Sequence, residues 1–342
     1  MRLIRSVMLG LGLSGLAVPI AASASVGAST ATGPTAGRLL VSGLSGTIGG
    51  TVGPDGALYV PEGALGRITR VDPHNGRTST FADGLPAQVI PLGGAIDVAF
   101  VGRTAYALVT LVSADVGGSR VDGIYRIDGA HRSTVIADLG AWSVSHPPRT
   151  PFDVPTGLQF ALAPVPGGFL VSDGHHNRVL RVSYAGDVRE EVAFDNIVPT
   201  GLAVSGHTLY VAQAGPVPHT PATGKVVRVT LPGGTPHDVA SGYSVMVDVE
   251  RGSGHALYAL SQGDSPGDVP PATPAMPDSG KLLRANRDGT FTVLVDRLNR
   301  PTSVHFVGDT ALVVTLNGEV WRIDHVAELC RRHGHRDDPS DG

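Results

Sequence analysis

The chain contains 342 residues, with 26 Lys and Arg against 30 Asp and Glu, which gives a formal net charge of −4. Charged residues make up only 16% of the sequence and no basic stripe is present to neutralise phosphates, so we expect no nucleic-acid partner. The single cysteine, Cys330, excludes an intramolecular disulfide. We interpret it as a solvated residue of a polar tail, with a metal site or an intermolecular disulfide as alternatives.

The N-terminal segment has the features of a secretory signal. Two arginines precede an apolar run over residues 7–20, and Ala22-Ser23-Ala24 supplies the small residues of a cleavage site. We therefore predict a signal peptide over residues 1–24 and a flexible leader over 25–37. The signal-like segment predicts an exported protein, extracellular or in the periplasm or cell wall. Because no other stretch approaches ~18 apolar residues, we predict no membrane insertion after cleavage.

A strand-like element with a central arginine recurs six times after the leader. Its copies are GRITRVD at 66–72, DGIYRID at 122–128, NRVLRVS at 177–183, GKVVRVT at 224–230, GKLLRAN at 280–286 and GEVWRID at 318–324. With 46 glycines and 26 prolines between short apolar runs, this pattern is typical of many short strands and tight turns.

Further strands accompany each copy. An apolar strand precedes it, as in ALYV at 57–60. Upstream of that strand, another element comes first in the repeat, seen as PTGLQF at 155–160, PTGLAV at 199–204 and PTSVHF at 301–306. A fourth element follows the arginine strand, as in STVIADL at 133–139. Four strands per repeat make one blade of a β-propeller.

The first patterned segment completes the count. RLLVSGL at 38–44 reads as a fourth strand, whereas the last repeat, at 301–324, has only three. We therefore predict an all-β protein, a six-bladed β-propeller of four-stranded blades over 38–324, closed by the N-terminal strand and followed by a polar tail over 325–342. Four longer excursions read as face loops, which often carry function: Asp115–Val121, His146–Pro155, Gly215–Gly224 and Gly263–Ser279.

The six repeated arginines are interpreted as structural. Aspartates occupy a matching position in four of the fourth strands, so we predict Arg–carboxylate contacts between adjacent strands. The arginines are Arg70, Arg126, Arg181, Arg228, Arg284 and Arg322, and the aspartates are Asp83, Asp138, Asp195 and Asp296.

Candidate site residues lie where strand ends converge on the central channel. Asp97 and Asp248 occupy equivalent positions in opposite repeats, which makes them candidates for the channel mouth; alternatively, each accepts hydrogen bonds from backbone amides. Glu62, Asp173, Gln213 and Gln262 follow second strands, and their oxygens would suit Ca²⁺ or another divalent cation if at least six oxygen ligands gathered. The metal candidates are thus Glu62, Asp97, Asp173 and Asp248.

Two adjacent histidines, His175 and His176, lie in a tight loop. We interpret them as exposed loop residues that face different ways, with a metal ligand or a general base as the alternative, for which His175 is the candidate. The sequence contains no G-x-S-x-G, no H-E-x-x-H, no phosphate-binding loop and no paired C-x-x-C. Nucleophilic and zinc-peptidase chemistry therefore have no support.

Two resemblances follow from these motifs. LVSDGHHNRVLRVS at 170–183 resembles NHL-type repeats, and GPDGALYVPEGALGRITRVD at 53–72 with GGAIDVAF at 93–100 resembles the ScyD/ScyE family, which implies an exported propeller rather than a particular reaction. The blade pattern is also similar to gluconolactonase-like hydrolases, which implies a divalent metal held in the channel by Glu, Asn and Asp ligands. Here Thr156 or Thr200 stands where the Asn would be, and Pro301-Thr302-Ser303 replaces the Asp strand.

These observations predict a binding module rather than an enzyme. We expect a monomeric propeller that presents a loop-built face to a small molecule, a glycan or an exported protein. The alternative is a metal-dependent hydrolase or lactonase that uses the channel mouth.

Overall fold

The computed structural model describes residues 36–216, 219, 223–252, 256–267, 269 and 273–329. The predicted signal peptide, most of the predicted leader, and the tail from residue 330, including Cys330, lie outside these residues. The strands extend from Arg38 to Ile323. No helix in the described part of the chain is long and apolar enough to cross a membrane.

Six four-stranded antiparallel sheets confirm the predicted six-bladed β-propeller. Blade 1 contains β2 (Thr51–Val52), β3 (Leu58–Glu62), β4 (Arg67–Val71) and β5 (Thr78–Ala82). Blade 2 contains β6 (Gly94–Val101), β7 (Thr104–Thr110), β8 (Gly123–Gly129) and β9 (Arg132–Asp138). Blade 3 contains β10 (Gln159–Val165), β11 (Gly168–Asp173), β12 (Arg178–Ser183) and β13 (Val188–Ala193).

The second half of the ring repeats this order. Blade 4 contains β14 (Pro199–Ser205), β15 (Thr208–Gln213), β16 (Gly224–Thr230) and β17 (His237–Tyr243). Blade 5 contains β18 (Met246–Arg251), β19 (Leu257–Ser261), β20 (Gly280–Ala285) and β21 (Phe291–Leu298). Blade 6 contains β22 (Pro301–Val307), β23 (Thr310–Thr315), β24 (Val320–Ile323) and the N-terminal β1 (Arg38–Val41).

The N-terminal strand closes the ring as predicted. β1 pairs antiparallel with β24, with Arg38 opposite Arg322 and Leu39 opposite Trp321. The first strand of each blade contacts the first strands of its neighbours, so β2, β6, β10, β14, β18 and β22 surround the channel.

The prediction for the inner strand of blade 3 was wrong by four residues. PTGL at 155–158 precedes the strand, which begins at Gln159 and places Gln159 opposite Asp173, just as Pro199 lies opposite Gln213 in blade 4. The equivalent of PTGLAV at 199–204 is therefore QFALAP at 159–164. The match of PTGL letters between blades 3 and 4 does not reflect equivalent positions.

Apolar side chains fill the space between blades. Phe169 of blade 3, for example, is fully buried in a cluster with Leu108 and Ile124 of blade 2. Burial of each such side chain contributes about 1.5–3 kcal/mol.

The strand order assigns every long connection to one face. Because the strands of a blade alternate in direction, the turns between second and third strands and the connections to the next blade lie on the same side of the ring. We call this side the loop face and the opposite side the hairpin face. All four excursions predicted from the sequence belong to the loop face, which also carries a 3₁₀ turn (Ala114–Val116) and a short helix (Leu139–Ser145).

The predicted arginine–aspartate contacts were wrong in their partners. Four of the six repeated arginines form ion pairs among the described residues, with N–O distances of 2.6 to 2.7 Å: Arg70–Asp55, Arg126–Asp128, Arg181–Glu191 and Arg322–Asp324. Asp83 instead contacts His131, and Asp138 accepts a hydrogen bond from the Ala141 amide at the N-terminus of the short helix. Only Arg181 thus pairs with a carboxylate of the fourth strand, whereas Asp55 lies between β2 and β3, Asp128 lies on β8 itself and Asp324 directly follows β24.

Candidate functional site in the channel and on the loop face

Strand register identifies equivalent positions along the six inner strands. Each repeated arginine lies opposite a residue of the second strand, which in turn lies opposite one residue of the first strand. These first-strand residues are Thr51, Ala99, Ala163, Ala203, Glu250 and His305. Two positions earlier lie Gly49, Asp97, Ala161, Gly201, Asp248 and Ser303. Asp97 and Asp248 are therefore equivalent, in opposite blades, as predicted.

The Asp97 carboxylate joins three blades. Oδ1 accepts hydrogen bonds from the amides of Gly50 in blade 1 (3.0 Å) and of Val98 (2.9 Å), and Oδ2 accepts one from Leu162 in blade 3 (2.7 Å). Burial nevertheless raises the pKa of Asp97 to about 8, and the nearby Asp248 adds to the rise. The alternative interpretation, that this aspartate accepts backbone amides, is confirmed.

Asp248 has the same role on the opposite side. Its oxygens accept from the amides of Val249 and of Val304 in blade 6, both at 2.8 Å, and burial raises its pKa to about 7. The preceding blade has glycine at the equivalent position in both cases. A Cβ at Gly201 would lie 2.2 Å from Asp248 Oδ1, and one at Gly49 would lie 2.3 Å from Asp97 Oδ1. The close approach of each carboxylate thus requires glycine.

Two further channel residues were missed by sequence reasoning. Burial raises the pKa of Glu250 to about 8, with Asp248 and Asp97 contributing, and burial lowers the pKa of His305 to about 4. Both groups are therefore uncharged near neutral pH. Glu250 stands two residues after Asp248, and alternation along the inner strand was the signal that would have found it.

Glu62 and Asp173 are bound within their own blades. Glu62 is fully buried and accepts from Arg67 Nε (2.7 Å), Thr69 Oγ1 and the Ser45 amide. Asp173 is also fully buried and accepts from Arg178 Nε (2.8 Å), with His176 Nδ1 at 3.0 Å.

Neither predicted glutamine has a described hydrogen bond to these acids. Gln213 is buried, and its Oε1 has no hydrogen-bond partner among the described residues. Gln262 Oε1 accepts from the Ala275 amide at 2.9 Å within the long blade 5 connection.

These residues do not fit the metal that gluconolactonase-like propellers imply. Among the described residues, no three His, Cys, Asp or Glu side chains stand close enough together to hold an ion. The oxygens of the four predicted acids already accept hydrogen bonds, and an arginine occupies the positions beside Glu62 and Asp173 where a cation would have to sit. The four candidate ligands therefore do not form one donor set, which six oxygens around Ca²⁺ would require.

His175 and His176 are buried, so the expectation of exposed loop histidines was wrong. His176 is 3% exposed and lies between Asp173 and the Val154 carbonyl. His175 is 8% exposed and stacks on Phe152, with 4.6 Å between ring centroids and 11° between planes. The two imidazole rings do face different ways, because the Phe152 ring is nearly parallel to that of His175 and nearly perpendicular, at 83°, to that of His176. Burial lowers the pKa of His175 to about 4, with His219 and His176 as smaller causes.

Comparison with known proteins matches this architecture. A gluconolactonase from Xanthomonas campestris has a TM-score of 0.58 at 13% identity, over 84% of this chain and 88% of that chain. Regucalcin, a calcium-binding protein from Agrobacterium tumefaciens, has a TM-score of 0.57 at 15% identity, over 84% of this chain and 93% of that chain. The PQQ-bound aldose sugar dehydrogenase from Streptomyces coelicolor has 0.56 at 14% identity, over 85% and 97%.

The chain shares their fold. The likeness to these solved structures is one of fold, the β-propeller. No protein-family model and no curated protein matches the sequence.

Proposed function

We propose that this protein is an exported binding module that takes a small molecule, a glycan or another exported protein on its loop face. The observation that carries the proposal is the environment of His175. Its ring is nine-tenths buried against Phe152, and neither ring nitrogen bonds another described residue. A neutral imidazole offers one donor and one acceptor nitrogen, which suits an uncharged polar ligand that can also contact an aromatic ring.

Buried polar atoms without partners support the same face. Asn177 Oδ1 and Gln213 Oε1 lie on the loop side of blades 3 and 4, as does His219 Nδ1, and none has a partner among the described residues. Such atoms cost about 1–3 kcal/mol each unless water or a ligand bonds them. Ligand atoms that donate hydrogen bonds would recover part of this cost.

The finer parts of the proposal rest on the sequence. Export rests on the signal-like segment at residues 1–24, and the expectation of no nucleic-acid partner rests on the net charge of −4 and the lack of a basic stripe. Membership of the ScyD/ScyE family rests on the motifs at 53–72 and 93–100. A monomer is the simplest state for a ring that is closed by its own strands.

A metal-dependent lactonase is the second candidate. It is favoured by the shared fold with a gluconolactonase, and opposed by the hydrogen bonds that occupy its four predicted ligands. Metal content of the purified protein and lactone hydrolysis with and without chelator separate the two. A stoichiometric divalent ion whose removal abolishes lactone turnover would establish the lactonase.

The binding proposal is tested with a defined set of mono- and oligosaccharides, scored by the shift in melting temperature. Phe152→Ala removes the ring that stacks on His175, and Tyr184→Ala removes an exposed aromatic ring in the hairpin between β12 and β13. We expect a saccharide that raises the melting temperature of wild type and of Tyr184→Ala, but not of Phe152→Ala. Shifts retained in Phe152→Ala, or none with any saccharide, would contradict a glycan site at His175.

A further inference from the structure

A compact polar cluster fastens two connections of the loop face to each other. The blade 2 connection at 111–122 contributes Ser113, Asp115 and Asp122, and the connection from blade 2 to blade 3 contributes Thr156. Asp122 and Thr156 are buried, with 1% and 8% exposure. This cluster has no part in the channel contacts described above.

The hydrogen bonds of the cluster leave it one hydrogen short. The hydroxyl of Ser113 lies 2.8 Å from Asp115 Oδ1 and 2.5 Å from Asp122 Oδ2, yet it carries a single hydrogen. The Thr156 hydroxyl, which lies 2.8 Å from Asp115 Oδ2 and 3.3 Å from Ser113 Oγ, also carries only one hydrogen, and the Thr156 amide donates to Asp115 Oδ2 at 3.1 Å. Two ionised carboxylates would therefore face one shared donor.

One added proton completes the network. A protonated Asp122 donates to Ser113 Oγ, Ser113 donates to Asp115 Oδ1, and the remaining Asp122 oxygen accepts from the Val112 amide at 2.8 Å. Each of these three contacts then has one donor and one acceptor, and the cluster has a net charge of −1 instead of −2. Burial raises the pKa of Asp122, and Asp115 adds to the rise, in agreement with this assignment.

The surroundings supply no cation that would replace the proton. The short helix packs on Asp122 through Gly140, and the Leu139 and Gly140 amides bond the Asp122 carbonyl rather than its carboxyl group. Arg120 and Asp138 act on the phenol of Tyr125, and neither is a cause of the shift at Asp122. Among the described residues, Asp115 is the charge that acts on the Asp122 carboxyl group.

We propose that a single proton, shared by the carboxyl groups of Asp122 and Asp115 through Ser113, fastens the 111–122 connection to Thr156. Loss of this proton releases the segment that carries Phe152, four residues before Thr156, from its position over His175. The hydrogen bonds that join the two connections do not depend on the proposed function, but their role in opening the ligand face rests on it. The loop face thereby opens as pH rises.

Amide hydrogen exchange tests the fastening directly, because the Val112 and Thr156 amides donate to the two carboxyl groups. In Asp122→Asn, the side-chain oxygen accepts from Val112 and the amide nitrogen donates to Ser113, which reproduces the protonated acid. At about pH 5.5 and again at about pH 8.5, we take the ratio of the exchange rates of wild type and variant, so that the intrinsic rate at each pH cancels. We expect equal rates at the lower pH and exchange roughly tenfold or more faster in wild type at the higher pH.

Controls separate the proton from other causes. Asp138→Asn keeps the neighbouring helix cap and should exchange like wild type at both pH values. Ser113→Ala removes the bridge and should exchange fast at both. A rate ratio between wild type and Asp122→Asn that does not change with pH would overturn the proposal, as would recovery of slow exchange in wild type at high pH on adding millimolar Ca²⁺. Because exchange is measured without ligand, failure here leaves the saccharide experiment unaffected.

Discussion

Single residues in the channel show how a ring of strands tolerates buried acids. Asp97 and Asp248 bond amides of neighbouring blades, so their carboxylates act as bridges between inner strands. Repeat alignment found both positions, because each aspartate follows a β-branched residue and precedes a valine. It could not find Glu250 and His305, whose equivalents are alanine in three blades and threonine in the fourth, so no shared letter marks the position.

The Glu250 carboxyl group should make stability depend on pH. Its folded pKa of about 8 lies above the ordinary glutamate pKa of 4.5, so between these pH values the folded state holds a proton that the unfolded chain has lost. The free energy of unfolding should therefore fall as pH rises through this window. Glu250→Gln should reduce this fall and add about 1–3 kcal/mol at pH near 8, measured by urea unfolding. Glu190→Gln, on the exposed surface of β13, is the control, and an equal slope in all three proteins would refute the assignment.

The burial of His175 could not be predicted from the sequence. Adjacent histidines before an Asn-Arg pair read as an exposed turn, and nothing local indicates that the segment containing Phe152 covers them. That contact joins residues more than twenty positions apart in different connections, so only the tertiary structure reveals it.

At the scale of elements, the sequence predicted what repeats and missed what does not. Strands recur with similar letters, so their order, the blade count and the closing role of β1 were predictable. The inner strand of blade 3 was misplaced because PTGL at 155–158 copies the start of β14 while lying in a turn. The short helix was missed because seven residues are too few to show a helical period.

The short helix depends on one buried arginine. Arg178 bonds Asp173 through Nε (2.8 Å), the His146 carbonyl through Nη1 (2.7 Å) and Ser143 Oγ through Nη2 (3.1 Å), and its guanidinium lies 4.8 Å from the Trp142 ring centroid. It therefore joins the helix and the residue after it to β11.

Arg178→Ala should destabilise the protein by about 3–5 kcal/mol, because it leaves the Asp173 carboxylate buried without its charge partner. Arg189→Ala, which truncates a mostly exposed arginine, should cost less than about 1 kcal/mol. Urea unfolding of both variants measures the difference. Equal costs would mean that Arg178 has no special role in holding the helix.

For the whole molecule, the decisive feature is that the ring closes through a non-local strand. β1 pairs with β24 almost three hundred residues later, and Val41 packs with Leu58 of blade 1 and Val314 of blade 6. One short strand therefore supplies the fourth strand of blade 6 and part of the contact between the first and last blades.

Removing residues 36–42 should open this closure. β24 would become an unpaired edge strand, and exposed edges recruit further chains. We expect a lower melting temperature than wild type and association that increases with protein concentration, measured by calorimetry and by size-exclusion chromatography with light scattering. Leu39→Lys is the matched control, because Leu39 is 45% exposed and its substitution leaves the backbone pairing intact. If the truncated chain stays as stable and as monodisperse as this control, closure by β1 contributes nothing to the ring, and the contacts between blades 6 and 1 hold it alone.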